Sequence, residues 1–327
     1  MKAFQNKAVL ITGATGLLGS HLVEQLLQVG CSAVYAMGRN KQKLVKTFNA
    51  HERLFLVEHD IAAPLPPALG HLDFIFHAAS PISGAVITNS PVDVINANLN
   101  GTINCLTYLK QQSGGKMIVF SSATVYDGTA GEMTLAGENC TQYATPISSP
   151  NAPYAESKRM IEVIANAYSK QYGIDVLIAR FSYLYGYAPN APKTAFYEFL
   201  FHALRNEPIT LNKGGLPRRD NIYIDDAVEA LLHLCKTGDW GNTYNISSCG
   251  DNGNYAAIDE IAEIIAQEAN KINNAPGVGV HYSSPAATTR TEGIRLDNSK
   301  LKASGWAIKT SLQEGIRKTL QKYKGIL

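Results

Sequence analysis

The first 180 residues alternate between short apolar runs and longer stretches in which apolar residues recur every three or four positions. The apolar runs predict strands at 8 to 12, 33 to 37, 54 to 57, 73 to 77, 116 to 121 and 174 to 180. The recurring pattern predicts helices near 17 to 29, 91 to 112 and 153 to 172. Strands that alternate with helices in this way are typical of an α/β fold built on a doubly wound parallel sheet.

After residue 181 this alternation gives way to a stretch rich in Tyr, Pro and Gly. Periodicity there predicts helices at 195 to 205, 258 to 269 and 311 to 323, with a short strand at 208 to 211. The segment 127 to 153, rich in Gly, Thr, Ser and Pro, predicts a long loop. We expect a smaller mixed lobe that covers the ligand crevice at the carboxyl ends of the strands.

The junction of the first strand with the first helix is rich in glycine and reads Thr12-Gly13-Ala14-Thr15-Gly16-Leu17-Leu18-Gly19. Missing β-carbons let backbone N–H groups approach an anion, and the helix points its positive end at the same place. A tight turn without a ligand is the alternative, but strand, glycines and helix in this order predict a dinucleotide site. We expect a dinucleotide-binding domain at 1–180, with a contribution from about 218–248, and a substrate-binding lobe from 181–217 and 249–327.

Composition excludes several other classes of protein. The chain has 327 residues, 45% hydrophobic and 17% charged, with a net charge of +2 and no dense run of Lys or Arg. Neither nucleic acid nor an anionic membrane is therefore expected as a partner. The short polar start and the absence of long apolar runs favour the cytoplasm. Five scattered cysteines without a C-x-x-C pair indicate reduced thiols, and we expect no metal site.

Candidate catalytic residues lie on the third predicted helix and at the end of the fifth strand. Tyr154 and Lys158 are one helical turn apart, so their side chains share a face. A nearby ammonium and an oxidised nicotinamide both favour the phenolate, which would let Tyr154 act as an acid/base near neutral pH. Ser122 could donate a hydrogen bond to the same substrate oxygen. The alternative is that Tyr154 covers a core and Lys158 is solvated.

The chain resembles the extended short-chain dehydrogenase/reductases, the family of nucleotide-sugar epimerases, dehydratases and decarboxylases. The resemblance covers nearly the whole length. Besides the glycine turn and Tyr154 with Lys158, it rests on Asp60-Ile61, His77-Ala78-Ala79-Ser80, Asn98-Leu99-Asn100-Gly101-Thr102, Ser121-Ser122-Ala123-Thr124-Val125-Tyr126, Arg219-Asp220-Asn221-Ile222-Tyr223-Ile224-Asp225-Asp226, Leu296-Asp297-Asn298-Ser299-Lys300-Leu301 and Gly305-Trp306.

The resemblance implies roles for individual residues. Asp60 and Ile61 would border the adenine, and Ala78, Ala79 and Ser80 the ribose and phosphates of the cofactor. It also implies a homodimer that pairs the helices near 91 to 112 and 153 to 172. The full expected cofactor set is Gly13, Thr15, Gly16, Leu17, Leu18, Gly19, Arg39, Asn40, Asp60, Ile61, Ala78, Ala79, Ser80, Asn98, Tyr154, Lys158, Phe181 and Ser182.

Three departures from the family's commonest patterns narrow the prediction. Gly38-Arg39-Asn40 stands where NAD-dependent members have an acidic residue, and an added guanidinium favours a 2′-phosphate, hence NADP over NAD. Ala123-Thr124 replaces the Asp-Glu pair of the dehydratases, which disfavours 4,6-dehydration because elimination needs an acid and a base. Tyr183 replaces an Asn near the substrate diphosphate, which weakens the assignment to sugar nucleotides.

Arg219 is expected to bind the substrate diphosphate, as similar enzymes use an arginine there; simple solubility of the Arg-Arg pair is the alternative. The expected substrate set is Ser80, Ser122, Thr124, Tyr183 and Arg219. We expect hydride transfer at a sugar carbinol, at C4, in an epimerase. The alternatives are an NADPH-dependent reductase of a 4-keto sugar or another carbonyl compound, and a dinucleotide-sensing protein without catalysis.

Overall fold

The computed structural model describes residues 2–81, 84–129, 135–140, 145–212, 217–274, 277–283 and 292–326. Its strands are β1 Ala8–Thr12, β2 Ala33–Gly38, β3 Leu54–Glu58, β4 Phe74–His77, β5 Lys116–Ser122, β6 Leu135–Ala136, β7 Asp175–Phe181, β8 Tyr183–Tyr185, β9 Ile209–Leu211, β10 Arg218–Tyr223, β11 Thr243–Ile246, β12 Tyr255–Ala257, β13 Val280–Tyr282 and β14 Arg295–Leu296. Its α-helices are α1 Leu17–Gln28, α2 Lys41–Thr47, α3 Gly84–Asn89, α4 Pro91–Gln111, α5 Ala152–Tyr172, α6 Ala195–Leu204, α7 Ile224–Thr237, α8 Ile258–Asn273, α9 Ser299–Ala303 and α10 Leu312–Lys324.

Seven of the described strands form one parallel sheet in the order β11-β7-β5-β4-β1-β2-β3. The chain builds outward from β1 to β2 and β3, then returns to the other side of β1 with β4. This reversal is the topological switch point of a doubly wound sheet, where the crevice for a ligand opens beyond the carboxyl ends of the strands. The predicted fold class is confirmed.

The first strand shows why this sheet is buried on both faces. Val9 and Ile11 belong to the cluster that packs with α1, whereas Leu10 belongs to the cluster on the opposite face, because successive side chains of a strand point to opposite sides. All three are fully buried. A strand covered by helices on both faces reads as a continuous apolar run, as this one does.

The C-terminal elements form smaller sheets and a helical layer. Strands β12, β10 and β8 make a three-stranded sheet, β9 pairs with β13, and β6 pairs with β14. Helix α10 packs against α8, and α8 packs against α6. Within the described ranges, no helix combines the length and the apolar character needed to cross a membrane.

Sequence and structure differ in several elements. Helix α7, which the periodicity analysis does not predict, carries the apolar spacing of Ala227, Leu231 and Leu234 and ends at Gly238 in a left-handed conformation. Helix α8 runs four residues beyond its predicted end at 269. The segment predicted as a loop at 127 to 153 includes β6, and its residues 130–134 and 141–144 lie outside the described part of the chain.

Candidate active site

The glycine turn brings three segments of backbone into close contact. Gly13 has a φ of +65°, and a β-carbon there would lie 2.8 Å from the Ala79 Cα atom. A β-carbon at Gly19 would collide with the Gly13 carbonyl oxygen. Helix α1 begins at Leu17 behind Gly16, which has no side chain with which to cap the first N–H groups. The N–H groups of Ala14 and Gly16 are bound to the carbonyl oxygens of Met37 and Gly13. The turn still fits a dinucleotide pyrophosphate, because the first N–H groups of α1 have no partner within the helix and the helix dipole favours an anion there.

Two buried side chains, Thr12 and His77, hold this turn in place. Thr12 Oγ1 lies 2.9 Å from His77 Nδ1 and accepts a hydrogen bond from the Ala79 N–H at 3.1 Å. Burial lowers the pKa of His77 to about 3, and the nearby Lys158 charge adds to the effect. His77 is therefore neutral at physiological pH and holds the ends of β1 and β4 together.

A chain of hydrogen bonds links the segment that follows β4 with helix α5. Ser80 Oγ donates to Asn98 Oδ1 at 2.7 Å, and Asn98 Nδ2 donates to Ser157 Oγ at 2.7 Å. Ser157 Oγ in turn donates to the Tyr154 carbonyl oxygen at 2.9 Å. The predicted residues Ser80 and Asn98 are thus brought to the first turn of the helix that carries Tyr154.

Tyr154 and Lys158 share one face of α5, as predicted from their spacing. The Lys158 Nζ atom lies 5.8 Å from the centre of the Tyr154 ring and donates to the Phe120 carbonyl oxygen on β5 at 2.7 Å. Lys158 is only 4% exposed. Burial lowers its pKa to about 7, an effect that Glu162 partly opposes.

Lys158 predicts a pH dependence of stability for the cofactor-free protein. Its pKa falls from 10.5 to about 7 on folding, so the unfolded chain binds more protons between these two pH values. The free energy of unfolding should therefore rise with pH in this window, by on the order of 1 kcal/mol per pH unit from this group. Lys158→Met should be more stable than the parent in urea unfolding at pH 7, with an advantage that shrinks by pH 9. A pH-independent difference would contradict the buried ammonium.

Hydroxyl groups at the ends of the strands are suited to bind a polar ligand. Ser122 Oγ accepts a hydrogen bond from the Thr124 N–H at 3.2 Å, which holds it at the end of β5. Thr124 Oγ1 and Ser182 Oγ are buried and have no hydrogen-bond partner among the described residues. A buried hydroxyl without a partner costs free energy unless a ligand or water satisfies it.

Helix α5 is anchored by a buried ion pair one helical turn after Lys158. Arg180 on β7 donates to both oxygens of Glu162, with Nε to Oε1 at 2.9 Å and Nη2 to Oε2 at 2.6 Å. Ser121 Oγ on β5 donates to Glu162 Oε1 as well. Strands β5 and β7 and helix α5 are thus joined at one carboxylate.

The same ion pair continues into the C-terminal elements. Arg180 Nη1 donates to Tyr126 OH at 2.6 Å, and Tyr126 OH donates to Asn245 Oδ1 at 2.9 Å. Asn245 on β11 also donates to the carbonyl oxygens of Ala136 and Asp297 at 3.0 Å. A buried polar network therefore runs from α5 to β6 and to the segment that leads into α9.

The two adjacent arginines of β10 have different surroundings. Arg218 donates to Glu260 Oε1 at 3.2 Å and lies over the Tyr255 ring. The Arg219 guanidinium lies over the Tyr183 ring, with Cζ 4.4 Å from the ring centre. Within the described part of the chain, the Arg219 side chain makes no hydrogen bond or ion pair.

The remaining predicted residues lie along the same edge of the sheet. Arg39 is exposed after β2, whereas Asn40 Oδ1 accepts from the Lys43 N–H at 2.8 Å and caps α2. Asp60 is exposed after β3 and Ile61 is buried. Phe181 packs edge-on against Phe120. The predicted residues thus form two groups on either side of β1, one with Arg39 and Asp60, the other with Tyr154. No three His, Cys, Asp or Glu side chains that could hold a metal ion gather among the described residues.

Several residues of the site are not found by the sequence analysis. Ser157 lies between Tyr154 and Lys158, and Glu162 follows Lys158 by one helical turn on the same face. A polar face that continues along α5 is the signal that could have revealed them. Asn190, whose Nδ2 donates to the carbonyl oxygen of Thr15 at 3.4 Å, had no such signal because this contact joins distant parts of the chain.

A doubly wound sheet with a glycine turn at its switch point and a Tyr–Lys pair beside it defines a dinucleotide-binding enzyme of the α/β class. The chain belongs to the NAD dependent epimerase/dehydratase family, whose model matches residues 9–247. The resemblance found in the sequence is thereby confirmed.

Individual relatives agree with this assignment. The chain is 31% identical to UDP-glucuronic acid decarboxylase 6 of Arabidopsis thaliana over 324 residues, which cover 96% of this chain and 88% of that protein. It is similar in fold to a UDP-N-acetylglucosamine 4-epimerase from Methanobrevibacter ruminantium M1, solved in complex with UDP-N-acetylmuramic acid. That match has a TM-score of 0.81 and 22% identity and covers 99% of this chain and 100% of that chain.

A third match is MoeE5, solved in complex with UDP-glucuronic acid and NAD. Its TM-score is 0.78 and its identity 23%, covering 98% of this chain and 100% of that chain. Proteins similar to this chain thus include a decarboxylase and an epimerase, and the structure of MoeE5 contains NAD.

Proposed function

We propose that this protein oxidises a carbinol carbon of a nucleotide-linked sugar, at C4, and returns the hydride in the same catalytic cycle. The observation that carries the proposal is the buried Lys158 ammonium held against β5 and beside the Tyr154 ring. A dinucleotide sensor without catalysis would have no use for this costly buried charge.

Each residue of the site has a task in this reaction. Tyr154 takes the proton of the sugar hydroxyl as a phenolate, and Lys158 favours the phenolate through its charge. Ser122 donates a hydrogen bond to the oxygen that becomes a carbonyl. A nicotinamide cofactor held at the glycine turn would supply the acceptor for the hydride of the same carbon. The residues of the glycine turn and the Ser80–Asn98–Ser157 chain orient the cofactor and α5 with respect to each other.

The substrate is proposed to be a sugar linked to a nucleoside diphosphate. Arg219 supports this class because its guanidinium stacks on Tyr183 but makes no hydrogen bond or ion pair with a described residue, unlike that of Arg218. Thr124 and Ser182 supply hydroxyls that a polyhydroxylated ligand can satisfy. We place the dinucleotide on 1–180 with about 218–248, and the substrate against 181–217 and 249–327. Strand β11 joins the main sheet, which supports this division.

The fate of the 4-keto sugar separates two candidate functions. In an epimerase the sugar turns within the site and takes the hydride back on its other face. A decarboxylase is the second candidate, favoured by the similarity to UDP-glucuronic acid decarboxylases. A ketone at C4 makes a C6 carboxylate a β-keto acid. Its C5–C6 bond breaks with release of CO₂, the resulting enolate takes a proton from water at C5, and the hydride then returns to C4. An NADPH-dependent reductase would use the same residues but release the reduced product.

One panel of substrates distinguishes these functions. The purified protein is incubated with NAD, NADP or NADPH and with UDP-glucose, UDP-N-acetylglucosamine, UDP-glucuronic acid or a 4-keto sugar nucleotide. Chromatography and mass spectrometry follow the product, and absorbance follows the reduced nicotinamide. We expect an isomer without net change in cofactor. A UDP-pentose with release of CO₂ establishes the second candidate, and stoichiometric loss of NADPH establishes the reductase. Cofactor binding with no turnover of any substrate would contradict the proposal.

We further propose that the cofactor is NADP in preference to NAD, because Arg39 is exposed beside the end of β2. A charge-assisted contact with a 2′-phosphate contributes about 1.5–3 kcal/mol. Arg39→Ala should therefore weaken NADP binding at least ~10-fold in calorimetric titrations and leave NAD binding within about twofold. Lys46→Ala, in the last turn of α2, serves as the control for a general loss of charge. Equal losses for both dinucleotides would show that Arg39 does not discriminate between them.

A homodimer in the cytoplasm is proposed for the assembly and location of the protein. Exposed apolar side chains on α4 and α5, among them Val92, Ile95, Met160 and Val163, support an interface through these helices. The small net charge supports the proposal that neither nucleic acid nor a membrane is a partner.

A further inference from the structure

Tyr183 and Arg219 are brought together by the pairing of two short strands. In the parallel pair of β8 and β10, Tyr183 lies opposite Asn221. Arg219 precedes Asn221 by two residues, so its side chain lies on the same face of the sheet as that of Asn221. Diagonal neighbours on one face are within reach of aromatic and long side chains. The stack of the Arg219 guanidinium on the Tyr183 ring follows from this register.

Successive side chains of β10 lie on opposite faces of the sheet, so its two arginines have different surroundings. Arg218 points to the other face, where the Glu260 carboxylate and the Tyr255 ring hold it in the C-terminal elements. Arg219 keeps a positive charge that no described carboxylate neutralises. Tyr183 is 51% exposed, so its ring is not there to fill a core.

The stack leaves the guanidinium ready to bind an anion. All five N–H donors of an arginine lie in the plane of the guanidinium and point outward from its edge. A ring against one face of that plane blocks no donor but removes much of the rotamer freedom of the side chain. An anion that binds a side chain already held in place avoids the cost of ordering it.

We propose that Tyr183 is a positioning residue, because its ring holds the Arg219 guanidinium in place so that the guanidinium edge binds a diphosphate. This inference rests on the proposed function, in which Arg219 binds the substrate diphosphate. An Asn at position 183 would contact the diphosphate directly, whereas Tyr183 acts on it through Arg219. The phenol hydroxyl is not needed for this role, whereas the ring is.

The test measures binding of UDP by calorimetry to the parent protein and four variants, each saturated with NADP, the proposed cofactor. Arg219→Ala should weaken UDP binding ~10- to 100-fold, because it removes charge-assisted bonds to phosphate. Tyr183→Leu should weaken it ~3- to 10-fold, the range of a cation–π contact and an ordered side chain. Tyr183→Phe should stay within about twofold. In the double variant Arg219→Ala with Tyr183→Leu, the second change should have no further effect.

A matched control lies elsewhere on the surface. Tyr172 on α5 is 40% exposed and carries the Lys110 ammonium over its ring at 4.1 Å. Tyr172→Leu removes a comparable stack and should leave UDP affinity unchanged. In steady state, Tyr183→Leu should raise KM with kcat within about twofold, because it changes binding and not the chemical step.

Each outcome distinguishes the inference from the function on which it rests. Failure of the parent protein to bind UDP, or full UDP affinity in Arg219→Ala, would contradict the proposed binding of a nucleoside diphosphate. Weak binding by Arg219→Ala together with full affinity in Tyr183→Leu would overturn only the role of Tyr183. Additive losses in the double variant would also overturn it, because Tyr183 would then act without Arg219.

Discussion

Replacing Tyr154 by Phe is expected to lower turnover by ~10²- to 10⁴-fold while dinucleotide affinity stays within about twofold. The substitution keeps the ring beside Lys158 and removes only the hydroxyl that exchanges a proton with the sugar, and general acid–base catalysis contributes an effect of this size. Turnover is measured with whichever sugar nucleotide the panel identifies, and affinity by calorimetry with NAD and NADP.

Tyr168→Phe is the matched control for this prediction. Tyr168 lies on the same helix, and its hydroxyl lies 3.2 Å from Thr107 Oγ1 on α4, so it belongs to the packing of the two helices. Its loss should leave turnover within about twofold. Retained activity in Tyr154→Phe would remove Tyr154 from the acid/base role.

Glu162→Gln is expected to destabilise the protein by about 3–5 kcal/mol, the largest effect on folding that we predict. Glu162 is 8% exposed and is bound to Arg180 through both oxygens. Removing its charge leaves the Arg180 guanidinium buried without its ionic partner, which costs more than the pair contributes when intact. Urea unfolding at pH 7 measures the effect.

The exposed pair of Lys309 and Glu229 provides the control for charge alone. Glu229→Gln should change the free energy of unfolding by less than about 1 kcal/mol, because exposed ion pairs are screened by water. A second comparison replaces Glu162 and Arg180 together by Met, which should cost less than Glu162→Gln alone. Equal and small effects of Glu162→Gln and Glu229→Gln would contradict the structural importance of the buried pair.

Most of the first half of the fold could be predicted because that half obeys local rules. Strands β1, β4, β5 and β7 are largely buried and read as apolar runs, and the long helices α1, α4 and α5 show a clear periodicity. Helices α2 and α3 were not predicted, because seven and six residues are too few to show such a pattern. Helix α7 has the same periodicity in Ala227, Leu231 and Leu234, with Gly238 at its end. The same rules therefore suffice to predict this helix. The strand predicted at 208 to 211 corresponds to β9. The other strands of the C-terminal part have two to six residues and contain no long apolar run, so no pattern distinguishes them from loops.

The candidate site divides in the same way. The spacing of Tyr154 and Lys158 places both on one face of a helix whatever the rest of the chain does. The ion pair of Glu162 and Arg180 depends on how α5 lies against β7, and the stack of Tyr183 on Arg219 depends on the register of two paired strands. Such contacts between elements are decided by tertiary packing, which a single sequence does not reveal. From the sequence, Tyr183 is a departure from a sugar-nucleotide site. In the structure its ring lies against the Arg219 guanidinium, which gives it a place in such a site.

The most direct test of the central claim follows the hydrogen at C4 of the sugar. The protein is mixed with NAD or NADP and with a UDP-sugar that carries deuterium at C4, and the reaction is quenched within one turnover. Mass spectrometry of the cofactor should show deuterium in the reduced nicotinamide and, at longer times, in the product sugar, with no label transferred by Tyr154→Phe. Product that forms while the cofactor stays unlabelled would contradict hydride transfer from C4.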